Sequence, residues 1–352
     1  MRIAQVAPLI ESVPPKNYGG TERVVSYLTE ELVRLGEEVF LFASGDSATQ
    51  AKLIPCCKES LRTCRDCEDQ LAHHFIMMNR VYDQFHEFDV VHWHIDYLHY
   101  PMSKMLDYTH ITTLHGRLDI PELVPIYEQF PDIPLVSISN SQRQPVPHAN
   151  FISTIYHGLP LELYDLNENP EHYLAFVGRI SPEKRVDRAI EIAKMNGIPL
   201  KIAAKVDKKD QEYFDTEIRH LLDDPLLEFV GEIGESEKQE FMGNALALLF
   251  PIDWPEPFGL VMIEAMSCGT PVIAYDNGSV PEVIDDGVTG FIVNSQEEAG
   301  AAVRKIDTIS RAGCRERFEK RFSSRVMAEN YLNLYQSLIE TNENQKFRKV
   351  IG

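Results

Sequence analysis

The stretch Trp254–Asp276, WPEPFGLVMIEAMSCGTPVIAYD, decides how the rest of the chain is read. Glu256 lies between Pro255 and Pro257, and Pro257 suits a first helical position because its fixed φ and missing N–H cost nothing there. The spacing predicts a helix opening at Pro257, with the backbone amides of Phe258, Gly259 and Leu260 unpaired as at any helix N-terminus. Gly259 would let a ligand approach that backbone closely. Glu264 falls about two turns further in, up to ~12 Å along the axis at ~1.5 Å per residue. Two carboxylates that far apart cannot share a proton or a metal ion. They can grip hydroxyls at opposite ends of one long ligand, the reach from a hexose across a diphosphate to a ribose. The spacing also fits a capping carboxylate followed by an ordinary surface-helix glutamate. Pro271–Tyr275 then reads as a buried strand.

Outward from this stretch, short apolar runs alternate with helical patterns, which predicts an α/β fold with mostly parallel sheets. Strands are expected at Arg2–Leu9, Glu38–Ala43, Asp89–His94, His110–His115, Pro134–Ser139 and near Ile152–His157. Between the first two, Gly19–Gly20 opens a helix with Val24, Leu28, Leu32 and Leu35 on one face, and Gly36 ends it. The polar, turn-rich segment GLPLELYDLNENP suggests a linker over residues 158–171, between an N-terminal domain (1–157) and a C-terminal domain (172–320). In the second domain, strands are expected at Tyr173–Gly178, Leu200–Ala204, Leu227–Val230, Ala247–Phe250, Pro271–Tyr275 and Gly290–Val293. Ser181 is read as an N-cap, with Pro182 and Glu183 in the first turn. A last amphipathic helix occupies residues 321–352.

At 352 residues, two domains of ordinary size can each bury a core. There are 54 acidic against 34 basic residues, a formal net charge of −20. That balance disfavours nucleic acid or an anionic membrane as the main partner, so an anionic ligand needs a local cluster of positive groups. No apolar run approaches the ~20 residues of a membrane span. The N-terminus reads as a first strand instead of a secretory signal, which fits a cytoplasmic protein. Cys56, Cys57, Cys64 and Cys67 crowd into CCKESLRTCRDC. They read as free thiols on a loop or helix, with a zinc knuckle or a disulfide as the lesser alternative.

The dispersed pieces YGGTERVVSYLTEELVRLGEEVFLFA, TLHG (113–116), FVGRISPEKRVDRAIEIAK (176–194), EPFGLVMIEAMSCGTPVIA (256–274) and VPEVIDDGVTGFIV (280–293) together resemble the retaining glycosyltransferases of family 4. They follow the family's order over nearly the whole chain. The resemblance implies the GT-B architecture: two Rossmann-like domains facing across a cleft, the N-terminal one on the acceptor side, with the last helix crossing back to it.

A diphosphate needs positive charge and free amides. Arg179 follows a strand and Lys184 opens the next helix, so both can reach one point before a helix N-terminus, itself favourable to anions. By resemblance they hold the donor diphosphate and stabilise the leaving group. Gly19 and Gly20 would approach the donor phosphates or the acceptor. His115 would order the reacting sugar, Lys205 would reach the nucleotide, Glu256 with Phe258, Gly259 and Leu260 would fix the sugar and its phosphate, and Glu264 would grip the ribose. His92 and His94, on one face of a strand and followed by Asp96 and His99, are expected to line an acceptor pocket, with a metal site as the lesser alternative. The Asp-x-Asp pair that carries a metal in other glycosyltransferases is absent, so no metal or other cofactor is expected.

The function implied is retaining, metal-independent transfer of a hexose from a nucleoside diphosphate sugar. UDP-glucose is favoured and GDP-mannose next; the acceptor is an unidentified small molecule, lipid-linked sugar or glycan. Alternatives on the same architecture are a nucleotide-sugar epimerase and a catalytically silent sugar-nucleotide-binding protein.

Overall fold

The computed structural model describes residues 1–16 and 19–351 and divides into two compact units, Met1–Pro160 with Ser324–Gly352, and Leu161–Ser323. In the first, β1 (Arg2–Val6), β2 (Glu38–Ser44), β3 (Lys52–Cys57), β4 (Val90–Trp93), β5 (His110–Thr113), β6 (Leu135–Ser137) and β7 (Phe151–Thr154) form one sheet in the order β3-β2-β1-β4-β5-β6-β7. In the second, β8 (Leu174–Arg179), β9 (Leu200–Lys205), β10 (Leu227–Gly231), β11 (Ala247–Phe250), β12 (Val272–Tyr275) and β13 (Gly290–Val293) order as β10-β9-β8-β11-β12-β13. The assigned pairings in both sheets are parallel. The central strands β4 and β11 are buried along their whole length, as strands covered on both faces must be. Each sheet reverses its strand order once, between β1 and β4 and between β8 and β11. In doubly wound sheets such a switch point leaves a crevice beyond the strands' carboxyl ends.

Several elements differ from the sequence reading. β3 was expected as loop or helix; it is an edge strand, where Pro55 is tolerated because one side needs no partner. Cys56 and Cys57 lie on it, and all six cysteines are free. Burial pushes the Cys56 thiol up to about 12 and the Cys57 thiol to about 11, leaving both protonated. The helix expected at Ser181 begins only at Val186. Ser181–Lys184 forms a turn instead, closed by Lys184 N–H to the Ser181 carbonyl at 3.1 Å. Arg185 adopts a left-handed φ of 53° before the helix, held by Asp187 at 2.7 Å and Asp253 at 3.0 Å.

The helix expected at Pro257 runs over Leu260–Ser267, because Gly259, at φ 78°, interrupts the chain there. A Cβ on Gly259 would meet Met262 at 2.8 Å and Glu256 Cγ at 3.3 Å. Met262 offers only the end of a flexible side chain, so it is chiefly the left-handed φ that favours glycine here. The last helix, Ser324–Ile351, belongs to the first unit, where Tyr331 and Tyr335 are buried. Gly352, the end of the expected last helix, lies outside the described residues, as does Tyr18 of the quoted loop.

Candidate active site

The switch point of the second unit is built from opposite charges. Arg179, the last residue of β8, pairs with Glu183, with Asp210 at 3.1 Å and with Asp207 at 3.9 Å. Asp207 also takes Lys205, from the end of β9, at 3.2 Å. Lys184 pairs with Glu256. Its ammonium lies 5.4 Å from the Phe250 ring and 5.2 Å from the Trp254 ring, within range of cation–π attraction. Lys184 was expected in a helix's first turn; it sits in the preceding turn, and its pairing follows from that placement. Arg179 beside Glu183 helps hold that carboxyl below its usual range, against burial, the largest influence, which raises it.

The Glu256 loop is shaped by a second turn, Asp276–Ser279. A Cβ on Gly278, at φ 62°, would lie 2.2 Å from the Glu256 nitrogen. Ser279 N–H donates to the Glu256 carbonyl at 2.9 Å, and its hydroxyl to the Phe258 carbonyl at 2.8 Å. Glu264 is not the ordinary surface-helix glutamate that the spacing also allowed: it is 4% exposed and paired with Lys238 at 2.8 Å. Phe258 is buried and packs edge-on to Phe322, while Gly259 and Leu260 stand at the helix start.

In the first unit the side chains packed at the equivalent region form a neutral network. His92 was expected in a pocket wall, yet it is 0% exposed, held by Tyr335 Oη and Thr113 Oγ1, both at 2.7 Å. Gln5 Nε2 donates to Tyr335 Oη at 3.1 Å, so Gln5 Oε1 is left to accept from His94 Nε2 at 2.7 Å. A neutral His94 with its proton on Nε2 offers a lone pair on Nδ1, so His115 Nε2 must donate to it, at 2.9 Å. His115 Nδ1 is then an acceptor, and it is a buried atom without a hydrogen-bond partner. Burial brings the His115 pKa down to about 3 and those of His92, His94 and His157 well below the usual histidine range. His115 stacks on His157 at 5.2 Å.

A recess of about 440 Å³ opens beside this network, lined from the segments after β1, β4 and β5 and from the helix Gln70–Gln84. Asp96 stands on its wall with φ 51°. Solvent reaches the carboxyl, but the surrounding protein pushes it up to about 6. Gly19 and Gly20 start the helix Gly20–Arg34; Glu22 in that turn is buried, which raises its carboxyl.

The second unit thus gathers Arg179, Lys205, Lys184 and Glu256 along its switch point, with Glu264 in the helix that follows. His115, Gly19 and Gly20 lie in the first unit. Sequence reasoning missed Lys238, Gln5 and Tyr335, which carry no local pattern. It also passed over Gly278, although DNGS is a visible turn signal.

Family models match this chain in tandem: Glycosyltransferase Family 4 over residues 18–146, and Glycosyl transferases group 1 over residues 165–325. The chain belongs to the group 1 glycosyltransferases, with GT-B architecture. The D-inositol 3-phosphate glycosyltransferase of Mycobacterium tuberculosis is 31% identical over 210 residues, 55% of this chain and 39% of that protein. The chain spans less than half the length of the curated relatives it matches. Sucrose-phosphate synthase from Thermosynechococcus elongatus superposes with a TM-score of 0.78 at 17% identity, covering 97% of this chain and 100% of that one. Anabaena HepE in complex with UDP and glucose gives 0.71 at 17%, covering 96% and 100%. At that identity the solved structures establish the fold alone. Among the described residues, no helix is long and apolar enough to cross a membrane.

Proposed function

We propose that this chain is a retaining, metal-independent hexosyltransferase that takes a hexose from a nucleoside diphosphate sugar, UDP-glucose first and GDP-mannose next, and passes it to a hydroxyl acceptor. The observation that carries the reading is the Lys184–Glu256 pair at the switch point, one turn from Arg179. A diphosphate arriving there would replace Glu256 as the partner of Lys184. Glu256 would then be released to accept hydrogen bonds from sugar hydroxyls. Arg179 and Lys184 would stabilise the charge that develops as the diphosphate leaves, the contribution on which transfer of this kind most depends. The amides of Gly259 and Leu260 would add donors of fixed direction. Glu264, oriented by Lys238, would accept from the ribose hydroxyls. His115, with its Nδ1 lone pair, would receive a sugar hydroxyl. Retention would follow from front-face displacement, with the departing phosphate taking the acceptor's proton.

UDP and glucose bound to a neighbour of the same fold support the choice of donor. Calorimetric titration with UDP-glucose and GDP-mannose tests it. Lys184→Ala and Glu264→Ala should each weaken donor binding about tenfold or more, the worth of a charge-assisted hydrogen bond. Undiminished binding in both variants refutes the assignment. Product analysis without acceptor checks the reaction: an epimerase would convert the donor by itself.

A further inference from the structure

We propose that the recess at the switch point of the first unit is an acceptor subsite for a neutral or amine-bearing polyol, that it rejects phosphorylated acceptors, and that Asp96 determines this specificity. The inference rests on the transfer reaction proposed above and names its second substrate by class. The recess, about 440 Å³, falls within the ~300–1,000 Å³ typical of small-molecule sites. Pro8, Ile10, Leu71 and Leu98 give it an apolar side, suited to the C–H face of a sugar or cyclitol ring.

The polar side carries an unpaired carboxylate, with the Thr21 hydroxyl beside it. Asp96 has no hydrogen-bond or ion-pair partner among the described residues, and its residue is open to solvent at the recess wall. His74, also in the wall, is used up: its Nδ1 faces the Gln70 carbonyl at 2.8 Å, and its Nε2 accepts from the Leu9 amide at 3.1 Å. Among the described residues, no lysine or arginine lines the recess. The flanking cations are committed elsewhere, Arg117 to Asp119 at 2.6 and 2.7 Å and Arg62 to Glu11. Hydroxyls and ammonium groups supply donors for the Asp96 carboxylate. A phosphate at neutral pH brings only acceptors and a charge of the same sign as Asp96. The phosphate in the acceptor named for the mycobacterial relative has no cation to meet here.

The full chain, saturated with UDP, is titrated by calorimetry with matched pairs: myo-inositol and D-inositol 3-phosphate, fructose and its 6-phosphate, glucosamine and its 6-phosphate. The unphosphorylated member of at least one pair should bind at least about tenfold more tightly than its ester, roughly one charge-assisted hydrogen bond. Asp96→Asn, nearly isosteric, should erase most of that preference with the UDP affinity unchanged. Asp96→Lys should turn it toward the esters, with thermal melts confirming that both variants fold. Tighter binding of the esters by the parent, no binding of any member, or a preference unchanged in Asp96→Asn overturns the proposal. Failure of the transfer reading is separable, because a chain that binds neither UDP nor GDP loses its donor site whatever the recess prefers.

Discussion

The two units share a parallel sheet whose order reverses once, yet they furnish the crevice beside that reversal in opposite ways. In the second, carboxylates and cations alternate through Lys205, Asp207, Arg179 and Glu183, with Lys184 and Glu256 alongside. In the first, neutral histidine, tyrosine, threonine and glutamine side chains hand hydrogen bonds from Tyr335 to His115. The topology supplies a crevice in each unit; the side chains decide what chemistry that crevice offers.

Acid should separate the units most sharply. His92, His94, His99, His115 and His157 have folded pKa values below that of an unfolded histidine, about 6.5, chiefly through burial. The unfolded chain therefore binds more protons, and stability present above that value is lost as pH falls through and below it. Each group contributes up to ~1.4 kcal/mol per pH unit, so several together exceed what a marginally stable domain can bear near pH 5. The second unit's described histidines, His172 and His220, are exposed. Hydrogen exchange followed from pH 7 to pH 5 should show β1, β4 and β5 losing protection before β8 and β11. Simultaneous loss, or none, breaks the contrast.

Gly278→Ala tests the charged side. The left-handed φ and the close approach to the Glu256 backbone should cost about 1–3 kcal/mol. Donor affinity should fall, while exchange in β1 and β4 stays as it was. Unchanged donor binding would mean that the Asp276–Ser279 turn does not shape the Glu256 loop.

Tyr335→Phe probes how far the neutral chain reaches. Loss of the hydroxyl leaves Gln5 and His92 each short of a buried partner, for about 1–3 kcal/mol in denaturant midpoint. With Gln5 free to turn, His115 should also exchange tautomers, visible in the ¹⁵N shifts of its ring. A stability loss with the His115 resonances unmoved would confine Tyr335 to packing.

Much of this was legible in the chain. Apolar runs bounded by helical patterns announced both sheets, and Arg179, Lys184, Glu256 and Glu264 stood out through their neighbours in sequence. The first helix's start at Gly20 was legible, but the starts of the two helices after Ser181 and Pro257 were not, because Arg185 and Gly259 take left-handed conformations that propensity does not foresee. β3 hid behind a proline that only an edge position excuses. The partners of the singled-out residues were hidden as well: Lys238 reaches Glu264 across 26 positions and Tyr335 reaches His92 across 243, and no local pattern encodes such distances.

The union of Lys184 with Glu256 has a consequence for discrimination. A stray anion such as free phosphate can claim the ammonium only by stranding the carboxylate, and a free sugar can claim the carboxylate only by stranding the ammonium. Only a molecule carrying both a phosphate and hydroxyls at the right separation satisfies both halves at once. On the donor site proposed above, the pair would act as a two-part lock, resisting fragments of the donor and yielding to the intact molecule.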